Sequence, residues 1–455
     1  MADRWSERTV LVCGAGVAGA SATRALLDLG AAVLLADREE SAAVGELVGL
    51  GARFVGVPDT LPPGVDEVVT SPGWRPDHPL LADAIRSGLE VIGEVELAWR
   101  LRRPDAGPWL AVTGTNGKTT TVRMLESILR AEGARALAVG NVGVPIIDAV
   151  CADDPYDVLA VELSSFQLHW STSVRPAAGA LLNIAPDHLD WHGSMAAYVE
   201  TKTRVWAGPV AVGGVDDPEV ARLLALADAP RRVGVTLGIP DEGQLGVRDG
   251  MLVDAAFGVE PAELVPAADV VPAGEHNVAN ALAAAALARA HGVSGSAVAA
   301  GLRDFVPDPH RNQLLFASGG VRWVDDSKAT NAHAALASLT AYASVVWVAG
   351  GQLKGAPVAD LVRAVAPRLR AVVLLGADRA VLADALRRHA PNVPVIEVAS
   401  TDDGAMTEVV RAAAGFARPG DVVLLAPAAA SYDMFTGYAA RGAAFAAAAA
   451  EFGAA

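Results

Sequence analysis

Residues 112–120 read Val112-Thr113-Gly114-Thr115-Asn116-Gly117-Lys118-Thr119-Thr120, between an apolar run over 109–112 and a helical pattern over 122–129. This context restricts the chain locally to a strand, a tight glycine-rich loop and a helix start. In such a turn the backbone N–H groups point inward and the helix start adds partial positive charge. A lysine there reaches terminal phosphates, and the hydroxyl after it can hold Mg²⁺. Gly114, Thr115, Asn116, Gly117, Lys118, Thr119 and Thr120 are therefore the expected cradle of a nucleoside triphosphate. The loop is shorter than the long Walker form, because Val112 stands five positions before Gly117. A Gly-Lys-Thr in an ordinary turn is the plain alternative, but strand and helix both fall where the motif needs them.

Bulk properties narrow the setting. A length of 455 residues fits about three domains. With 52% hydrophobic and 19% charged residues the chain can bury several cores, which argues against disorder. Its longest apolar tract, residues 443–450, is far short of the ~18 residues of a membrane span. The amino terminus carries Asp3, Arg4, Glu7 and Arg8 before a short apolar run and lacks the order of a secretory signal, and Cys13 and Cys151 form no disulfide framework or metal spacing. A cytoplasmic protein is expected. The net charge of −16 argues against nucleic acid as a partner, so an anionic ligand must meet local cations. Lys118, Arg311, Lys328 and Lys354 are the candidates.

Short β-branched or leucine-rich runs alternate with alanine-rich helical stretches from end to end, which predicts α/β layers around largely parallel sheets. A first unit over 1–99 has strands at 10–13 and 33–36 around a helix over 17–29, with later strands near 68–69 and 91–92. Polar residues 100–108 read as a linker. A second unit over 109–307 carries the glycine loop, strands at 158–161 and 180–182 and a helix over 277–290, and Pro307-Asp308-Pro309 closes it. A third unit over 308–455 has strands at 321–324, 345–349, 372–375 and 422–426. Ligands of open parallel sheets lie beyond the carboxyl ends of strands. Glu162 with Ser164 and Ser165, Asn183 with Asp187 and His188, residues 325–328, Gly350-Gly351 and residues 427–431 all follow predicted strands.

Gly14-Ala15-Gly16-Val17-Ala18-Gly19 after a strand, with Asp37 ending the next, has the spacing of a dinucleotide fingerprint. It certifies only close backbone approach to a diphosphate, so NAD, a UDP-linked substrate and a ligand-free turn are all compatible with it. Glu162 is either a hard oxygen ligand for Mg²⁺ or an acid at a helix start. His188, in a polar cluster after a strand, is either a functional donor or ligand or a structural histidine. Lys202 lies on a predicted helix and reads, by spacing, as a surface residue. Arg311 beside the proline-rich boundary either reaches a nucleotide or forms a salt bridge.

Together, residues 113–119, 162–168, 183–188 and 276–281 resemble the ATP-dependent Mur ligases of peptidoglycan synthesis, and the resemblance covers all three units. Asp326-Ser327-Lys328-Ala329-Thr330-Asn331 and Ser431-Tyr432-Asp433-Met434-Phe435, with Arg441-Gly442, are similar to the D-glutamate-adding members. The resemblance implies Rossmann-like first and third domains, for UDP and amino acid, around a P-loop ATPase-type domain. Val17, Ala18, Asp37, Ser71, Pro72 and Gly73 are implied to hold uridine diphosphate, and Asn141 the muramoyl part. Lys118 and Thr119 serve ATP and Mg²⁺, and Asn280, Arg311 and Asp326 complete the nucleotide site.

Glu162, His188 and a carbamylated Lys202 surround a second metal by the same resemblance, and Thr330, Lys354, Ser431, Tyr432 and Tyr438 bind D-glutamate. Gln352 and Leu353 depart from the usual Asp and Gly, Ala426-Pro427-Ala428-Ala429 from a Ser-Pro start, and Tyr438 from Phe. The implied reaction joins D-glutamate to UDP-N-acetylmuramoyl-L-alanine through an acyl phosphate, in a monomer. A ligase for another amino acid, of Mur or folylpolyglutamate type, and an NAD-dependent oxidoreductase are the alternatives.

Overall fold

The computed structural model describes residues 5–401 and 404–454, so Asp3 and Arg4 lie outside the described residues. Three sheets organise the chain. The first is wholly parallel, with Arg53–Phe54, Ala32–Ala36, Thr9–Cys13, Glu67–Thr70 and Val91–Gly93 in spatial order. The second places Trp109–Thr113 between Ala178–Leu181 and Val158–Glu162, with Ala136–Gly140 outermost beyond the latter. On the other side it continues through Val210–Gly214, Arg231–Val235 and Gln244–Arg248, then turns antiparallel at Met251–Asp254 and Ala262–Pro266. The third runs Gln313–Ser318, Val321–Asp325, Val422–Leu425, Val345–Gly350, Leu369–Leu375 and Val395–Glu397, with only its first pair antiparallel. The first two sheets belong to one compact unit, up to Asp269 together with Ala279–Phe305. The third belongs to another, made of Val270–Val278 and the residues from Val306 onward.

Parallel strands covered by helices on both faces must be apolar throughout. Trp109–Thr113, Val158–Glu162 and Val345–Gly350 are buried at every position, which is why they stand out as continuous apolar runs. The helix Lys118–Ala131 buries Val122, Met124, Leu125, Ile128 and Leu129, each contributing roughly 1.5–3 kcal/mol of transfer free energy. Helix Gly295–Arg303 crosses it backbone to backbone: a Cβ on Gly301 would lie 2.4 Å from the Ile128 Cα, and the Ser127 hydroxyl donates to the Gly301 carbonyl at 2.7 Å. This packing holds the helix whose first turn carries Lys118 and Thr119.

The expected linker over 100–108 is corrected at its start. Arg100 lies in the helix Glu94–Leu101, where its guanidinium binds Glu67, Glu90 and Glu96. Glu96 in turn accepts from the N–H groups of Thr172 and Ser173 and from the Ser173 hydroxyl, tying this helix to the strand-and-helix layer of the second sheet. The five strands between Val210 and Pro266 were not anticipated either. They are short and carry Gly, Arg and Gln among the valines, so no apolar run marks them. No helix of the described residues is long and apolar enough to cross a membrane.

Candidate functional site

The central strand Trp109–Thr113 ends between two neighbours, and the loops that follow all three converge. Gly114 (φ +159°) and Gly117 (φ +86°) carry the chain through conformations that favour glycine. A side chain at Gly117 is excluded a second time, because a Cβ there would lie 2.3 Å from Asn280 Oδ1. Helix Lys118–Ala131 begins with no side-chain cap, the kind of helix start that binds anions. The Lys118 Nζ donates to the carbonyls of Gly114 (2.9 Å) and Thr115 (3.0 Å).

Polar contacts from the neighbouring loops brace the turn. Asn183 holds Asn116 from both sides, accepting from its N–H at 2.9 Å and donating to its carbonyl at 3.1 Å. The Thr115 hydroxyl lies 2.9 Å from the Tyr198 hydroxyl and accepts from the Ala185 N–H at 2.9 Å. Burial pushes the Tyr198 phenol up to about 12, so it serves here as a neutral hydroxyl.

Glu162, the last residue of its strand, is 1% exposed. One carboxylate oxygen accepts from the Thr119 hydroxyl at 2.7 Å and the other from Asn141 Nδ2 at 2.7 Å. The helix-start alternative for Glu162 has no support, because Ser164 and Gln167 form the capping box of the next helix, Ser165–His169. Lys202 corrects the surface expectation: it is 2% exposed. Helix Met195–Thr203 turns Tyr198, Thr201 and Lys202 inward, and Lys202 Nζ donates to the Gly114 carbonyl at 2.8 Å. Burial, and then the neighbouring Lys118 cation, lowers its pKa well below the ordinary lysine range.

His188 starts the short helix Leu189–His192 from a left-handed conformation (φ 52°), and its ring packs 4.7 Å from Phe166. Burial lowers its pKa, opposed by Asp187. Next to it, His192 shares a hydrogen bond of 2.9 Å with the Ser165 hydroxyl and is pushed down to about 4 by burial and by the other histidines. Thus Lys118, Thr119, Asn141, Glu162, His188, Lys202 and Asn280 all belong to one constellation around the loop. Among the described residues no group of three or more His, Cys, Asp or Glu forms a metal cluster.

The first glycine loop is built differently. Asp37 accepts from the N–H groups of Ala15 and Arg38, each at 2.6 Å, and a Cβ on Gly19 would lie 1.8 Å from the Gly14 carbonyl oxygen. Ser71 sits against Gly14, with Pro72 and Gly73 in the same turn, while Val17 is 75% exposed and Ala18 half-buried at the helix start.

In the compact unit that carries the third sheet, Asp326 accepts from the Asn312 N–H at 3.1 Å, and burial pushes its carboxyl up to about 6 against the pull of Arg311. Lys328 lies 3.9 Å over the Tyr438 ring. Ser431 is buried, and its carbonyl accepts from the Met434 and Phe435 N–H groups. Gln352 pairs with Ala430, bringing the loop of Lys354 (φ 52°) beside that segment. Thr330 is half-buried, and Tyr432, expected at the substrate, is 71% exposed. Tyr198 and His192 escaped the sequence reading. Tyr198 lies four residues before Lys202, on the same helix face, and that spacing was the available signal.

Residues 112–288 match the Mur ligase middle domain and residues 310–429 the Mur ligase glutamate ligase domain. The chain is 58% identical to the UDP-N-acetylmuramoylalanine–D-glutamate ligase of Thermobifida fusca, over 96% of this chain and 97% of that one. It is 53% identical to the enzyme of the same name from Streptomyces coelicolor, over the full length of both. Among solved structures it is similar in fold to MurF from Acinetobacter baumannii (TM-score 0.59, 20% identity, 87% of each chain). It is also similar to the UDP-N-acetylmuramate-alanine ligase of Thermotoga maritima (TM-score 0.55, 18% identity, 92% of this chain and 95% of that one).

Proposed function

The chain belongs to the Mur ligase family, and from that premise we propose that it joins D-glutamate to UDP-N-acetylmuramoyl-L-alanine in cytoplasmic peptidoglycan precursor synthesis, consuming ATP. The observation that carries this reading is the array Thr119–Glu162–Asn141 across the mouth of a glycine loop that also holds Lys118 and Lys202.

A carboxylate does not react with an amine in water, because its oxygen is a poor leaving group. In the first step the L-alanyl carboxylate oxygen bonds to the γ-phosphorus of ATP and the bond from that phosphorus to the bridging oxygen breaks, releasing ADP and leaving an acyl phosphate. The loop N–H groups and Lys118 stabilise the charge on the transferring oxygens. In the second step the D-glutamate amine bonds to the acyl carbon and phosphate leaves with the oxygen. The proton the amine must lose goes to an oxygen of the departing phosphate, or to His188 where burial keeps it neutral and no ion occupies its ring nitrogen.

The Thr119 hydroxyl and Glu162 carboxylate are hard oxygen donors, which fit Mg²⁺. Bound there, the ion neutralises phosphate charge. A second ion would be held by Glu162, His188 and Lys202 as its carbamate. Burial favours the neutral Lys202 amine, the form whose nitrogen bonds to the carbon of carbon dioxide and then loses a proton. Val17, Ala18, Asp37, Ser71, Pro72 and Gly73 hold the uridine diphosphate. Asn280, Arg311 and Asp326 serve the adenine nucleotide, and Thr330, Lys354, Ser431, Tyr432 and Tyr438 serve D-glutamate.

The test is phosphate release measured across amino acids with UDP-N-acetylmuramoyl-L-alanine as acceptor. Release coupled to amide formation with D-glutamate alone is expected. Equal turnover with L-alanine or a diamino acid would reassign the substrate, and redox turnover of NAD without phosphate release would remove the ligase reading. A carbamate resonance from ¹³C-bicarbonate, absent in Lys202→Ala, checks the modification.

A further inference from the structure

Arg311 is flanked by two residues in left-handed backbone conformations, His310 at φ 64° and Asn312 at φ 49°, a region that costs any residue with a Cβ, though Asn and His less than most. Such strain persists only where surrounding contacts impose it, and here they come from several sides. The His310 ring is 17% exposed on its side chain, and Nδ1 lies 2.6 Å from Oδ2 of the fully buried Asp325. A carboxylate only accepts, so Nδ1 carries the proton. The His310 N–H donates to Gln313 Oε1 at 3.0 Å, and its carbonyl accepts from the Lys328 N–H at 3.2 Å. Only a glycine at 442 admits the ring, since a Cβ there would lie 2.2 Å from His310 Nδ1.

Asn312 is pinned as firmly. Its N–H donates to Asp326 Oδ1 at 3.1 Å and its Nδ2 to the Ala273 carbonyl at 3.1 Å, and its Oδ1 accepts from the Tyr342 hydroxyl at 2.8 Å. The Arg311 guanidinium between them stands 4.0 Å from Asp308 and pulls on Asp326, and among the described residues it has no ion pair closer than that. A chain held in a costly conformation on both sides of one cation is a device for aiming that cation. We infer that His310 and Asn312 are positioning residues, whose strained and clamped backbone fixes Arg311 for nucleotide binding. The inference rests on the reading of Arg311 as a nucleotide contact.

A double-mutant cycle in the full-length enzyme tests it. His310→Ala and Arg311→Ala should each raise the KM for ATP about five- to twenty-fold, with the KM for UDP-N-acetylmuramoyl-L-alanine within about two-fold of the parent. Combined, they should be no worse than Arg311→Ala alone, because His310 acts through Arg311. His310→Gly, which tolerates positive φ, should keep more ATP affinity than His310→Ala. Additive effects in the cycle, with Arg311→Ala impaired, would overturn the positioning role and leave the Arg311 reading intact. An unchanged KM for ATP in Arg311→Ala would remove both. Should His310→Ala fail to fold, Tyr342→Phe loses only the hydroxyl that holds Asn312. It must show the same selective rise in KM for ATP, and an unchanged value would overturn the inference.

Discussion

Two glycine loops of the molecule, at Gly14–Gly19 and Gly114–Gly117, each follow a buried parallel strand and precede a helix, and they solve different problems. The loop at Gly14–Gly19 has no lysine: its own N–H of Ala15 is satisfied by Asp37, and Gly19 is needed for close packing against the Gly14 carbonyl. The loop at Gly114–Gly117 gathers Lys118, Lys202, Glu162 and Thr119 within one or two hydrogen bonds of its backbone. The first can hold an anion without changing it. The second has the charges and oxygen donors to move a phosphoryl group. Glycine spacing certifies backbone approach alone, and the side chains after the turn decide between binding and chemistry.

The sharpest way to break this contrast is Lys118→Ala, which should lower turnover about a thousand-fold while UDP-sugar affinity, measured by calorimetry, stays unchanged. Comparable losses in both would mean that the two loops do not divide the work. Lys202→Met should lower turnover about a hundred-fold and, compared with the parent kept free of bicarbonate so that the amine is unmodified, raise the melting temperature at neutral pH. The sign follows from linkage: the folded state depresses this lysine's pKa, so folding is disfavoured wherever the unfolded chain holds the proton and the native one does not. The thermal advantage of Lys202→Met should therefore shrink as pH rises toward the ordinary lysine value of 10.5. A constant advantage from neutral to alkaline pH would show that the amine is not neutral in the native state.

Asp37→Ala should raise the KM for the UDP-sugar about ten-fold with no change for ATP. Gly16→Ala is the mildest probe: a Cβ there meets nothing within 4 Å and the backbone is extended, so activity and stability should stay within about two-fold and ~0.5 kcal/mol. A large loss would place ligand closer to Gly16 than the loop geometry implies.

Local chemistry made much of this legible. The strands around the second loop are buried on both faces and so appear as unbroken apolar runs, and the glycines, Lys118 and Glu162 follow them at strand ends. What could not be read depends on distant partners. Lys202 has an ordinary helical spacing, and only the carbonyl of Gly114 shows that its face is the buried one. Arg100 sits in a polar stretch that looks like a linker until Glu67 and Glu90 are folded against it. The strands from Val210 to Pro266 lie toward a sheet edge, where alternation is weak and Gly and Arg interrupt it. Asn and His are the commoner non-glycine residues in left-handed backbone, yet that His310 and Asn312 adopt it is imposed by surroundings distant in sequence.

Glu96 grips the Thr172–Ser173 segment with three hydrogen bonds, while Arg100, one turn further along its helix, is fastened to Glu67 of the first sheet and to Glu90, just before that sheet's strand Val91–Gly93. The separation of the two anion cradles is thereby set by the polypeptide itself. On the proposed assignment of the two loops, a sugar nucleotide seated at one end is measured against a fixed gauge, and an acceptor arm too short or too long presents its carboxylate where no phosphorus waits.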